Sequence, residues 1–181
     1  MRFIGYYRID LREVPRRYDG EGLIKVSPES HLVLRAEVER FAHFFKREFS
    51  YDALQFEKSD KSPHTAYLFA NEDDHYPHVW IGACCFRTRE YSDLGRKAQA
   101  LQWIWIHPYY RGKGILKKWW STLRANHGDF IVEPPLSTSM KQFLLKHNRN
   151  SAFACIYNGK KPNLKRMKSH LARSDKANAN G

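Results

Sequence analysis

The sequence predicts a mixed α/β fold of α+β character, formed by one domain. Its 181 residues suit a single hydrophobic core, and 42% of them are hydrophobic. Short apolar runs typical of strands are interleaved with stretches in which apolar residues recur every three or four positions, as they do in helices. In chain order these stretches predict the arrangement β-α-β-β-β-α-β-α-β, without an internal repeat or a linker.

The first half of the chain predicts a strand, a helix and then a hairpin. Residues 22–26 form a short apolar run that ends at Pro28. The helix after it has an apolar stripe spaced by three and four residues, formed by Leu34, Val38, Phe41, Phe45 and Phe49. The polar stretch 52–63 predicts a loop, and the apolar runs 65–70 and 78–87 predict the two strands of the hairpin.

The second half alternates strands with helices. Residues 98–107 are rich in β-branched and aromatic side chains, which favours a strand, and the polar stretch 87–97 before them predicts a connector. From Ile115 the apolar period becomes helical, and Gly128 ends that helix. The remaining predicted elements are a strand at 130–132, a helix at 137–147 and a strand at 152–157.

Positive charge is concentrated at the C-terminal end. The formal net charge of the chain is +12, and residues 159–181 carry a net +6 of it with few large apolar side chains. We therefore expect residues 1–158 to form the folded domain and residues 159–181 to form a basic, flexible tail. The tail either keeps the protein in solution or contacts a polyanion, and composition does not distinguish these roles.

Several classes of protein are not expected. No apolar stretch approaches the ~20 residues that span a bilayer, and the first residues lack the apolar core of a signal peptide, so we expect a cytoplasmic protein without a membrane partner. The cysteines Cys84, Cys85 and Cys155 are odd in number and have no zinc-binding spacing. Neither a disulfide framework nor a metal site is expected.

The clearest motif is Arg-Gly-Lys-Gly-Ile at 111–115, between a predicted strand and a predicted helix. Glycines allow consecutive backbone N–H groups to converge on an anion, and the helix N-terminus, Arg111 and Lys113 add positive charge. The motif therefore predicts a pyrophosphate site. It matches neither the P-loop pattern nor the dinucleotide pattern GxGxxG. The alternative is an ordinary surface turn before a helix.

Residues 111–116 are similar to the signature R/Q-x-x-G-x-G/A of the GNAT superfamily of N-acetyltransferases, with Leu116 where Gly or Ala is usual. The resemblance implies the GNAT acyl-CoA N-acyltransferase fold, in which helices flank a central, mostly antiparallel sheet. It implies acetyl-CoA as co-substrate and no metal. The implied cofactor-binding residues are Ile104, Trp105, Ile106, Arg111, Gly112, Lys113, Gly114, Ile115 and Leu116.

Over residues 18–158 the chain resembles the catalytic core of the cohesin acetyltransferases, in the stretches 101–105, 111–116, 133–134, 141–143, 146–147 and 152–158. Two features differ from that family. The residues before the core contain no cysteine for its zinc finger, and Gln102 stands where the family has Ser. The resemblance implies acetyl transfer to an amine, for which a protein lysine is a candidate.

Acetyl transfer needs a group that accepts a proton from the attacking amine. Glu133 directly follows a predicted strand and is similar in position to the catalytic Asp of the cohesin family; the alternative is a strand-end carboxylate paired with a surface cation. His107 is a second candidate base, although its place before Pro108 suits a capping role. Ser137 is expected to begin a helix. That helix lacks the Tyr with which many GNAT enzymes protonate the leaving thiolate.

We therefore predict an N-acetyltransferase in which a primary amine attacks acetyl-CoA directly. The alternative is a basic nucleic-acid-binding module, or an acetyltransferase whose amine is bound to RNA or nucleoprotein. The net charge favours that alternative, and four tryptophans would offer stacking surfaces: Trp103, Trp105, Trp119 and Trp120. Their spacing favours core positions instead, and no nucleic-acid reader motif is found.

Overall fold

The computed structural model describes residues 9–18, 20–71, 78–91, 96–128, 130–133 and 136–147. The strands are β1 (Leu23–Val26), β2 (Thr65–Ala70), β3 (Trp80–Tyr91), β4 (Arg96–Ile106) and β5 (Ile131–Val132). The helices are α1 (Leu32–Phe49), α2 (Ile115–His127) and α3 (Thr138–His147). The strand predicted at 152–157, Cys155 and the basic tail at 159–181 lie outside the described residues.

The predicted order of elements is confirmed as far as α3, with one difference. The polar stretch 87–97 is not a simple connector, because β3 continues to Tyr91 and β4 already begins at Arg96. Thr88 pairs with Gln99 in this extension of the hairpin. Backbone groups form the ladder, so exposed polar side chains on both strands are compatible with it.

The five strands form one sheet in the order β1-β2-β3-β4-β5. Neighbouring strands are antiparallel except β4 and β5, which are parallel. Helix α1 packs on one face of the sheet, and α2 and α3 pack on the other. The core positions expected for Trp103, Trp105 and Trp120 are confirmed, since each is at most 5% exposed, and Trp119 is half-buried. Within the described chain, no helix is long and apolar enough to cross a membrane.

Gly82 allows β3 and β4 to approach closely. A Cβ atom at this position would lie 2.5 Å from the backbone oxygen of Trp105 and 3.0 Å from Cα of Ile106. Any side chain would therefore push this part of β4 away from its neighbour. Glycine at this position sets where the C-terminal half of β4 lies.

His127 joins the end of α2 to the sheet. Its ring stacks on Phe86 with the centroids 3.9 Å apart, and its Nε2 lies 2.9 Å from the Tyr67 hydroxyl. Burial, with a smaller contribution from Lys25, lowers the pKa of His127 from the ordinary 6.5 to about 4. The unfolded chain binds this proton more strongly. The contribution of His127 to stability is therefore complete above pH 6.5 and is lost as the pH falls toward 4.

We expect the free energy of unfolding to fall between pH 6.5 and about 4 more steeply in the wild type than in a Tyr67→Phe, His127→Phe double variant. The double variant keeps an aromatic ring at both positions and removes the titrating imidazole. Urea unfolding across this pH range measures the difference. His43→Gln, on the exposed side of α1, is the matched control and should keep the wild-type slope. Equal slopes in the wild type and the double variant would show that His127 makes no such contribution.

Candidate active site

The candidate site lies where β4 and β5 separate. Residues 100–101 pair with residues 131–132, and the N–H of Glu133 donates to the oxygen of Leu101 at 2.9 Å. Beyond this point β4 continues to Ile106, and no described strand pairs with its outer edge. The separation opens a cleft and leaves one edge of β4 able to pair with an extended ligand.

A β-bulge lies at the same point. Trp103 pairs with Cys85 and Leu101 pairs with Phe86, which leaves Gln102 without a partner residue on β3. The extra residue changes the alternation of side chains, so that Leu101 packs on the α2 side of the sheet and Trp103 on the α1 side. The bulge thus places Gln102 where the cleft begins.

The predicted phosphate loop connects β4 to α2. Gly112 and Gly114 have φ values of 75° and 85°, in the left-handed region that glycine adopts without strain. The first helical hydrogen bond runs from the Lys118 N–H to the Gly114 oxygen at 2.9 Å, and Gly114 has no side chain to cap the helix. The N–H groups of 115–117 therefore have no acceptor within α2. They and the helix dipole give this end of the cleft a positive potential.

The cleft has a volume of about 540 Å³ and is bounded by β4, the phosphate loop, α3 and the end of α1. Every predicted cofactor-binding residue except Lys113 lines it. The Lys113 side chain is directed to Tyr109 instead, with Nζ 3.5 Å from the centroid of that ring. Eight residues selected from a local motif and its preceding strand thus lie around one cavity.

Arg111 lines the cleft, but its guanidinium group is directed toward the rest of the protein. Its Nε donates to the Ile106 oxygen at 2.7 Å, and its guanidinium carbon lies 5.5 Å from the centroid of the Trp105 ring. Its Nη1 donates to Glu48 at 2.7 Å. The sequence predicts that Arg111 adds positive charge at the phosphate site, and in the structure its guanidinium group also holds the loop against Glu48 and the Ile106 oxygen.

His107 has the capping geometry that its position before Pro108 indicated. Its side chain accepts a hydrogen bond from the Tyr109 N–H, with 3.2 Å between the nitrogen atoms. Burial, followed by the nearby Arg111, lowers the pKa of His107. His107 is not among the described residues that line the cleft. Its geometry therefore favours the capping role over that of a base.

A second, smaller cavity of about 30 Å³ adjoins the cleft and is lined by Gln102, Trp103 and Glu133. The cleft and this inner cavity share the lining residues Phe49, Ile104, Ser137 and Met140. Gln102 Oε1 and Trp103 Nε1 are buried and have no hydrogen-bond partner in the described chain. Leaving such an atom unpaired costs about 1–3 kcal/mol, so a water molecule or a polar ligand group beside either atom would be stabilised.

The predicted base Glu133 lies at this inner cavity. Its Oε1 accepts a hydrogen bond from the Tyr91 hydroxyl at 3.1 Å and lies 3.5 Å from Nε of Arg89. Burial, with a smaller contribution from Glu133, raises the pKa of Tyr51 nearby. The Glu133 carboxylate thus has one hydroxyl donor and one nearby cation. The sequence offered two interpretations of Glu133, a catalytic base and a strand-end carboxylate paired with a cation. The structure is compatible with both, because Glu133 lines the cavity and also lies near Arg89.

The sequence did not predict that the end of α1 lines the cleft, whereas the resemblance already placed the helix at 137–147 near the leaving thiolate. Glu48 and Phe49 line the cleft from the end of α1, and Lys146 and His147 line it from the end of α3. Neither Glu48 nor Phe49 belongs to a short motif. Only the helical pattern of α1 was visible, and that pattern does not reveal which helix end borders the cleft.

Ser137 begins α3 as predicted. Its Oγ accepts a hydrogen bond from the Met140 N–H at 3.1 Å. Phe143 lines the cleft from this helix, in the neighbourhood where the resemblance implies a Tyr in many GNAT enzymes. Helix α3 has no Tyr, and Tyr110 lines the cleft from the phosphate loop instead.

Comparison with known proteins identifies the fold. No protein-family model matches the sequence, and no curated protein matches it. An aminoglycoside acetyltransferase from an uncultured soil metagenomic sample is similar in structure, with a TM-score of 0.50 and 9% identity over 73% of this chain and 89% of that chain. The xEco2 acetyltransferase domain bound to a CoA conjugate is also similar, with a TM-score of 0.50 and 15% identity over 68% of this chain and 84% of that chain. The chain has the GNAT acetyltransferase fold, as the resemblance implied.

Proposed function

We propose that the protein is an N-acetyltransferase that transfers an acetyl group from acetyl-CoA to a primary amine. The observation that carries the proposal is the cleft between β4 and β5. The phosphate loop offers it N–H donors that have no acceptor within α2, and the adjoining inner cavity is lined by the carboxylate of Glu133. Such a site binds an anionic donor at one end and a cationic acceptor at the other.

The cleft fits the successive chemical groups of acetyl-CoA. The N–H groups at the start of α2 suit the pyrophosphate, since a helix N-terminus with glycines before it is a favourable anion site. The edge of β4 with which no described strand pairs suits the amide groups of the pantetheine arm. Ile104, Met140 and Phe143 supply apolar contacts, and Lys146 supplies a cation at the end of α3 for a further phosphate.

The inner cavity fits the acceptor amine. Glu133 attracts the ammonium form and accepts its proton, and Gln102 Oε1, which has no partner among the described residues, can accept a remaining N–H group. Acetyl-CoA supplies an activated thioester. The neutral amine nitrogen forms a C–N bond with the carbonyl carbon, the C–S bond breaks, and the sulfur takes up one proton. The amide nitrogen releases one proton in the same step, which returns to the group that protonated the sulfur. Tyr110 and His147 line the cleft and are the candidates that donate the proton to the sulfur.

The acceptor class follows from charge and from the resemblance. We propose a protein lysine as acceptor, because the cohesin acetyltransferases that the chain resembles act on lysine and the inner cavity is narrow. The net charge of +12 favours an amine presented by an anionic partner such as RNA or nucleoprotein. The second candidate function, a nucleic-acid-binding module without catalysis, is disfavoured because the buried Trp103, Trp105 and Trp120 offer no stacking surface.

Calorimetry with acetyl-CoA and with an oligonucleotide, each at two salt concentrations, tests the proposal. We expect saturable binding of acetyl-CoA at both concentrations, and oligonucleotide binding, if present, to weaken steeply with salt. A screen of amine acceptors that detects the free CoA thiol then identifies the substrate. Salt-sensitive oligonucleotide binding without any acetyl-CoA binding would instead establish the nucleic-acid-binding module.

A further inference from the structure

Glu48, in the last turn of α1, connects that helix to the phosphate loop. Its carboxylate accepts hydrogen bonds from both terminal nitrogens of Arg111, at 2.7 Å and 2.6 Å. Its Oε2 also accepts a hydrogen bond from Nε1 of Trp105 at 2.7 Å. The side chain is only 18% exposed. This is a bidentate salt bridge, and the Trp105 N–H also fixes the Glu48 carboxylate. Together these contacts restrict the position of Arg111 more than a single hydrogen bond would.

The position of Glu48 is unfavourable for the helix that carries it. The C-terminal end of a helix has a partial negative charge, which disfavours a carboxylate in the last turn. The neighbouring residues Lys46 and Arg47 have the sign that this end of α1 favours. Helix stability therefore does not explain the carboxylate, whereas its contacts with Arg111 and Trp105 do.

Arg111 transmits this constraint to the loop. Its Nε holds the Ile106 oxygen at the end of β4, while its backbone begins the segment that contains Gly112 and Gly114. Two glycines make this segment flexible unless contacts hold it, because glycine loses more conformational freedom than other residues on ordering. The Glu48 to Arg111 pair is placed to supply that contact just before the glycines.

We propose that Glu48 is a positioning residue for the donor phosphates. It orders the phosphate loop through Arg111 before the donor binds, and it does not itself provide attraction for the phosphates, since its charge opposes theirs. This inference rests on the proposed function, because it assigns a role to Glu48 in binding acetyl-CoA. A loop that is already ordered spares the donor the entropic cost of ordering it, which increases affinity.

Glu48→Gln tests the inference, because it keeps the shape of the side chain and removes its charge and its two-pronged pairing. We expect the dissociation constant of acetyl-CoA, measured by calorimetry, to rise about tenfold, as expected for the loss of one charged hydrogen-bonded contact. Turnover at saturating acetyl-CoA should stay near the wild-type value. With S-acetylpantetheine, a donor that lacks the phosphates, kcat/KM should be unchanged.

Two further variants make the result interpretable. Glu39→Gln removes another α1 carboxylate, which lies 3.4 Å from Lys58 and away from the cleft, and it should leave acetyl-CoA affinity unchanged. Glu48→Asp keeps the charge and should recover part of the lost affinity, while thermal melting checks that each variant is folded. Unchanged acetyl-CoA affinity in Glu48→Gln, or an equal loss with both donors, would overturn the positioning role. Absence of acetyl-CoA binding by the wild type would overturn the proposed function first.

Discussion

Replacing Glu133 with Gln is expected to lower turnover by about 10²- to 10⁴-fold while acetyl-CoA affinity stays near the wild-type value. Gln keeps the size and hydrogen-bonding capacity of the side chain and removes its ability to accept a proton. Glu133 lines the inner cavity and not the phosphate end of the site, so donor binding should persist. Calorimetry with acetyl-CoA and steady-state kinetics on a working acceptor measure the two quantities separately.

The pH profile of kcat/KM distinguishes a proton acceptor from a structural carboxylate. At high pH more of the amine is neutral before it binds, so the deficit of Glu133→Gln should shrink as the pH rises. Glu90→Gln is the matched control, because Glu90 is exposed on β3 next to Arg89 and pairs across the hairpin with Lys97. Parallel profiles for Glu133→Gln and the wild type would show that Glu133 is not the base. Its pairing with Arg89 would then be its main role, and a water-mediated proton path would be the better hypothesis.

Arg111→Glu is expected to weaken acetyl-CoA binding about 100-fold, because it places a negative charge beside the proposed pyrophosphate site and removes the contacts with Glu48 and the Ile106 oxygen that hold the phosphate loop. It also places a second carboxylate opposite Glu48, and repulsion between the two carboxylates then disfavours the ordered loop. The Arg111 side chain is 38% exposed, and a pair this accessible contributes about 1 kcal/mol or less to folding. The loss of affinity should therefore exceed the loss of stability.

Calorimetry and urea unfolding of the same Arg111→Glu preparation compare the two losses. Arg47→Glu makes the same charge change at an exposed position one residue before Glu48, and it controls for the altered net charge of the protein. It should bind acetyl-CoA nearly as the wild type does. Wild-type affinity in Arg111→Glu would contradict the assignment of 111–115 as the phosphate loop.

The sequence by itself determined the elements whose signals are local. The stripe of α1 predicts a helix because residues three and four apart share one face, and the structure buries Leu34, Val38, Phe41 and Phe45 as that spacing requires. Gly128 ends α2, as expected of a glycine after the last apolar turn. The phosphate-loop motif could also be recognised, since its glycines and the helix that follows are contiguous in the chain.

Only the tertiary structure decided which distant residues meet at the site. Glu48 and Arg111 are 63 positions apart, and Tyr91 and Glu133 are 42 apart, so no local pattern links either pair. The bulge at Gln102 depends on the register between β3 and β4, which is a property of two strands together. The extension of the β3–β4 hairpin into polar residues also depends on the pairing of two strands. Helix and turn propensities act within a few residues, whereas register, cavities and ion pairs arise only when separate elements pack.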